Sequence, residues 1–172
     1  MMRKNFRPFI IDVEASGFGR FSYPIEIGVA LGPEHRYCRL ILPSRQWTHW
    51  DSEAEAVHQI PRELLFTRGL PPRQVARELN QILNQTVVYT DGWVVDKPWI
   101  TRLFEAARIR RQFSVSPLER ILSEDQMEIW HETKKRLLKK FNLTRHRAST
   151  DAFIVQETYV RTLAQTIRQK AH

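Results

Sequence analysis

The sequence predicts an α/β domain in which a mixed sheet carries helices packed against it. Three short apolar, β-branched runs open the chain, and after them strand-like runs alternate with amphipathic helical stretches. No repeat, low-complexity tract or Gly/Ser linker interrupts this pattern, so its 172 residues read as one domain, 1–172, large enough to bury a core.

Residues 8–14 (PFIIDVE) form the first strand, since a short apolar run ends at a loop holding Gly17 and Gly19. Residues 25–31 and 36–42 follow as two more strands, separated by Gly32-Pro33, and suggest an antiparallel hairpin beside the first. Asp51-Ser52 caps a short helix through about Val57, followed by the loop His58-Gln59-Ile60-Pro61. Pro71 and Pro72 open a helix to Leu83, with Val75, Leu79, Ile82 and Leu83 on one face. Residues 86–90 form a strand. A helix from Asp96 to Arg108 buries Ile100, Leu103, Phe104 and Ala107, with Pro98 tolerated in its first turn. Residues 113–115 suit a short strand, 124–140 a basic helix, and Thr150 to Lys170 a helix with a Val155, Tyr159, Leu163, Ile167 stripe.

The formal charge of +8 favours a polyanionic partner, nucleic acid first and an acidic membrane surface second. The single cysteine, Cys38, excludes an intramolecular disulfide and a thiolate zinc cluster. The start MMRKNFRPFII is a poor signal peptide and no membrane span, so a cytoplasmic setting with no membrane partner is expected.

Asp12 and Glu14 lie two apart on the first strand, so both carboxylates project from one face at its loop end. Held together they repel unless a cation or a shared proton neutralises them, and hard oxygens of this kind suit Mg²⁺ or Mn²⁺. Taken alone, the pair reads equally well as a turn cap beside a solvated strand-end charge. In the C-terminal segment HRASTDA, His146 precedes Asp151 by five residues. That spacing does not share a helix face. With a helix starting near Thr150, however, His146 lies in the loop before it and folds back toward the same place. Asp151 alone would be an ordinary partner of the helix dipole.

In order and spacing these segments resemble the DEDDh family of 3′–5′ exonucleases, which includes proofreading subunits, ribonuclease T and oligoribonuclease and has a ribonuclease H-like fold. Asp12-Val13-Glu14 before Ser16-Gly17 matches the first motif, and HRASTDA matches the His-x4-Asp signature. Asp96-Lys97-Pro98-Trp99-Ile100, after the strand TVVYT, matches the second; Asp91 is the rival but lacks the following apolar pair. IEIGVAL and Ala56-Val57-His58-Gln59-Ile60 add lesser matches, and the resemblance runs from about Pro8 to Tyr159. The sequence departs from the family at Ala15 and Ser16, where two threonines are usual, at Gln59, and at Asp91-Gly92-Trp93.

The resemblance implies a mixed five-stranded sheet flanked by helices, and hydrolysis at the 3′ end of single-stranded DNA or RNA to release nucleoside 5′-monophosphates. It implies that Asp12, Glu14, Asp96 and Asp151 bind two ions, Mg²⁺ or Mn²⁺, with His146 as general base. Ala15, Ser16, Gly17, Phe18, His58 and Trp93 would meet the terminal nucleotide; core packing is the competing reading for Phe18 and Trp93. Lys134 to Lys140, with Arg145 and Arg147, offer cations to phosphates, or form a solvated helix face. The family includes homodimers, and no interface signature stands in the sequence. A catalytically inactive nucleic-acid-binding module of the same fold, a different ribonuclease H-like nuclease and a basic structural protein are the rival functions.

Overall fold

The computed structural model describes residues 6–143 and 146–170. Five strands, β1 (Phe9–Ala15), β2 (Pro24–Ala30), β3 (Arg36–Leu40), β4 (Val87–Thr90) and β5 (Ser114–Pro117), form one mixed sheet in the order β3-β2-β1-β4-β5. Strand β2 runs antiparallel to both its neighbours, β1 and β3, whereas β4 and β5 are parallel to β1. Among the described residues six α-helices accompany the sheet: α1 (Ser52–His58), α2 (Arg62–Arg68), α3 (Pro72–Ile82), α4 (Trp93–Ala107), α5 (Glu124–Phe141) and α6 (Ala148–Gln169). The helices divide between the two faces, as the strand alternation requires. On β1, Ile11 and Val13 join the core beneath α3 and α4, while Ile10 points to the other face, into the core of α5 and α6. Asp12 and Glu14 share the parity of Ile10 and so project toward α6.

The expected strands and most of the helices occur where the hydrophobic periodicity places them, with three differences. The short helix α2 follows Pro61 and buries only Leu65, so it carries no amphipathic stripe to read. Helix α4 starts at Trp93 rather than Asp96, which makes Pro98 its sixth residue rather than part of the first turn. Pro98 cannot donate to the Val94 carbonyl; Val94 is 84% exposed, so water can take that bond. Helix α6 starts at Ala148, two residues before the expected Thr150.

That start is fixed by a close approach. Gly28 pairs with Asp12 in the β1–β2 register, and a Cβ at residue 28 would lie 2.1 Å from the Ser149 nitrogen. Only glycine lets the first turn of α6 rest directly on β2 beside the β1 carboxylates. Among the described residues, no helix is long and apolar enough to cross a membrane.

Candidate active site

The carboxyl ends of the parallel strands β1 and β4 open into a cleft of about 360 Å³, at the place where open α/β sheets bind ligands. Its floor is acidic. Strand β1 presents Asp12 and Glu14, the first turn of α6 brings Asp151, and α4 contributes Asp96. Ligand oxygens of Asp12, Glu14 and Asp151 all lie within 4.8 Å of one another. Asp96 lines the same cleft but is turned inward: it is 4% exposed and accepts the Thr90 hydroxyl, which in turn accepts the Gly92 N–H at 2.9 Å. Gly92 packs against this carboxylate so closely that a Cβ there would stand 2.8 Å from Asp96 Oδ2.

This crowding shows in the proton affinities. Burial, followed by the charges of Asp96, Glu14 and Asp151, raises Asp12 well above the ordinary carboxylate range. Burial and the Asp151 charge push Glu14 up to about 7. Asp96 also reaches about 7 through burial, against the lowering effect of its Thr90 bond. Within a chain of net charge +8, the cleft floor is therefore a place where acidic groups crowd one another. A converging set of hard oxygen donors that repel one another fits divalent ions such as Mg²⁺ or Mn²⁺.

His146 lines the cleft from the loop before α6, in the left-handed region at φ 65°, and its N–H donates to Asp151 Oδ2 at 2.7 Å. That bond makes the histidine and the aspartate one local unit. The unit is held to the sheet by Glu26 on β2. This wholly buried carboxylate takes Arg147 Nε at 3.1 Å, Arg147 Nη2 at 2.6 Å and the Ala148 N–H at 2.8 Å. Asp91, the rival to Asp96, pairs instead with Lys134 at 2.7 Å, tying α5 to the loop before α4.

Of the residues expected to meet the terminal nucleotide, Ala15, Gly17, Phe18 and His58 line the cleft, and Phe18 is 75% exposed, so core packing does not explain it. Ser16 and Trp93 do not line it. Ser16 is fully buried and its hydroxyl accepts the Tyr23 N–H at 3.1 Å, which closes the turn after β1. Trp93 packs against the core, with the Lys97 ammonium 4.4 Å from its ring centre. Trp99 and Val95 line the cleft instead. Trp99 lies three residues after Asp96 on one helix, and that spacing is the signal that identifies it. His58 is 3% exposed; its Nδ1 accepts the Ile60 N–H at 3.0 Å, so Nε2 carries the proton in the neutral ring. Among the described residues Nε2 has no hydrogen-bond partner. Burial keeps the ring neutral by lowering its pKa. Of the basic residues expected to meet phosphates, Lys134 and Arg147 are in ion pairs, and Arg145 lies outside the described residues.

No family model matches the chain, and no curated protein matches it. Solved structures do. A 3′-exonuclease that recognises the 3′ end of the histone mRNA stem-loop superposes with a TM-score of 0.66 at 13% identity, covering 93% of this chain and 65% of the other. E. coli exonuclease I in complex with a dA16 oligonucleotide gives 0.67 at 12% identity, covering 94% and 41%. The Mopeia virus exonuclease domain, partially complexed with manganese, gives 0.53 at 16% identity, covering 91% and 78%. The chain thus spans less than two thirds of the length of the first two. At these identities the likeness is one of architecture, and together with the sheet order it establishes that the chain has the ribonuclease H-like α/β fold on which those 3′-exonucleases are built.

Proposed function

We propose that the chain is a metal-dependent 3′–5′ exonuclease of the DEDDh type, a single cytoplasmic domain that acts on single-stranded nucleic acid. The observation that carries this reading is the convergence of Asp12, Glu14 and Asp151 within 4.8 Å at the floor of a cleft that His146 and Asp96 also line. Exonuclease activity in three proteins of the same fold, one with bound oligonucleotide and one with manganese, supports it.

In this reading Asp12, Glu14, Asp96 and Asp151 hold two divalent ions, Mg²⁺ or Mn²⁺. Bound there, such ions acidify a water and neutralise charge on the phosphate and the leaving oxygen. The protein's own groups do the rest. His146 takes the proton from the attacking water, a role that suits an imidazole near neutral pH. Water oxygen bonds to the terminal phosphorus and the bond to the 3′-oxygen of the preceding nucleotide breaks. That oxygen gains a proton from solvent, and a nucleoside 5′-monophosphate leaves. Exposed Phe18 on one wall and Trp99 with Val95 on the other offer apolar surface to the terminal base, and the buried Nε2–H of His58 donates to its sugar or phosphate.

Single- and double-stranded DNA and RNA oligonucleotides, labelled at either end and incubated with Mg²⁺ or Mn²⁺, provide the test. Mononucleotides should appear from the 3′ end, fastest on single strands, and Asp12→Ala should abolish their release. Absence of mononucleotide release from every free 3′ end would overturn the proposal.

A further inference from the structure

Helices α5 and α6 form an antiparallel pair: Gln126 reaches Thr162 at one end and Phe141 meets Phe153 edge to face at the other. Between them, on the surface away from the cleft, runs a groove of about 500 Å³. Its walls carry Arg136 and Lys140 from α5 and Arg161 and Arg168 from α6, with Thr133 and Gln165 between them. Among the described residues no carboxylate lines it. The acids nearest these cations act weakly: Glu132 stands 4.0 Å from Arg136, and Glu157 stands 3.8 Å from Arg161 while holding Arg7 at 2.5 Å. Both arginines remain more than half exposed. Four cations, of which Arg136 and Arg161 are only loosely paired with acids among the described residues, are interleaved with hydroxyl and amide groups and form a surface complementary to phosphodiesters. The apolar members of the groove are Ala164 and the buried Leu137, so nothing there can insert into lipid, as an interfacial helix must.

The groove is joined to the cleft by rigid elements. Asp151 is on the first turn of α6, and Arg161 and Arg168 follow on the same helix about 15–25 Å further along at 1.5 Å per residue. On α5, Lys134 bonds Asp91 in the loop leading to Asp96. We infer that the α5–α6 groove is a second nucleic-acid site, which grips the sugar-phosphate backbone of a substrate strand several nucleotides upstream of the 3′ end held in the cleft. The inference rests on the nuclease reading for the cleft, but the groove's own affinity does not require catalysis.

The test is a quadruple neutralised protein, Arg136→Gln, Lys140→Gln, Arg161→Gln and Arg168→Gln, with melting curves to establish that it is folded. Binding of a 5′-fluorescent 20-mer is measured in EDTA across a salt series, and hydrolysis of the 20-mer and of a trinucleotide is measured with Mn²⁺. The 20-mer should bind roughly 10-fold or more weakly, with a shallower dependence of log Kd on log salt, because fewer counterions are released. Its KM should rise in step, while trinucleotide turnover stays unchanged. An unchanged 20-mer Kd and salt slope would overturn the inference. So would an equal loss on the trinucleotide, or loss of binding to phosphatidylserine vesicles with oligonucleotide affinity intact. Weakened 20-mer binding in a protein that hydrolyses nothing would leave the groove standing and bring down the nuclease reading alone.

Discussion

Glu26 of β2 and Arg147 at the start of α6 form the ion pair that sets the distance between the two halves of the acidic cluster. Glu26 stands opposite Glu14 in the β1–β2 register, and its oxygens take both Arg147 and the first free N–H of α6. His146 and Asp151 flank that anchor. Glu26→Ala should therefore lower kcat by about 100-fold, the effect expected of an ångström-scale misplacement, with oligonucleotide affinity in EDTA nearly unchanged. Arg147 is 47% exposed and can turn to water, so the loss of stability should stay near 1–3 kcal/mol. Titration with Mn²⁺ should show weaker binding through the displaced Asp151. An unaltered kcat would show that α6 docks without the pair.

The raised carboxylates set a pH dependence with a definite sign. Unfolded carboxyls titrate near 4, whereas Glu14 and Asp96 in the folded chain titrate at about 7. Between those values the folded state holds more protons. These groups therefore favour the fold fully below about pH 4, and that contribution is lost as pH rises through about 7. In EDTA, Tm should fall from pH 5 to pH 8. Metal at 100 times its Kd should restore about 2.7 kcal/mol at pH 8, or roughly 5–10 °C for a chain of this size, and much less at pH 5. A metal-induced shift of equal size at both pH values would contradict the picture.

By the same reasoning Asp12→Asn should remove activity and metal response while raising the metal-free Tm at pH 8. The gain should be roughly 0.5–2 kcal/mol, the range of common stabilising substitutions. Calorimetry in EDTA reads it directly, and a lower Tm would mean that Asp12 makes a stabilising contact outweighing the repulsion.

Gly92→Ala probes the support of Asp96. A methyl group 2.8 Å from Oδ2 must displace either the carboxylate or the start of α4, at a cost of roughly 1–3 kcal/mol. Turnover should drop at least 10-fold, while Gly19→Ala, which meets nothing within 4 Å, should leave turnover unchanged. Similar rates for the two variants would show that Asp96 tolerates movement.

His58→Asn keeps an acceptor for the Ile60 N–H and removes the Nε2–H. Loss of one hydrogen bond to substrate should raise KM about 10-fold with kcat little changed. Steady-state kinetics on a short single strand measure both, and an unchanged KM would assign His58 to packing alone.

Much of this site was legible before any coordinates. Alternation along a strand puts Asp12 and Glu14 on one face, and the stripes of α3, α4 and α6 fall on buried positions, Ile82 and Ile167 only partly, because hydrophobic periodicity is a local property. What escaped depends on tertiary partners. Glu26 lies inside an ordinary strand pattern, and nothing local shows that its carboxylate will meet Arg147. The Ser16 hydroxyl is spent on Tyr23, a partner supplied by the turn rather than by any motif. Trp93 was the expected ring beside the terminal base, but α4 begins at Trp93 itself and packs that ring on the core, leaving Trp99 to line the cleft. Helix α2 buries one leucine, too little periodicity to register.

The Asp12–Asp151 juxtaposition also bears on how the protein is made. Strand β1 is translated well before α6, so the proposed ion-binding set stays incomplete until α6 has docked on Gly28. A nascent or prematurely terminated chain would carry the β1 carboxylates without Asp151 or His146, and so would lack half of the proposed set.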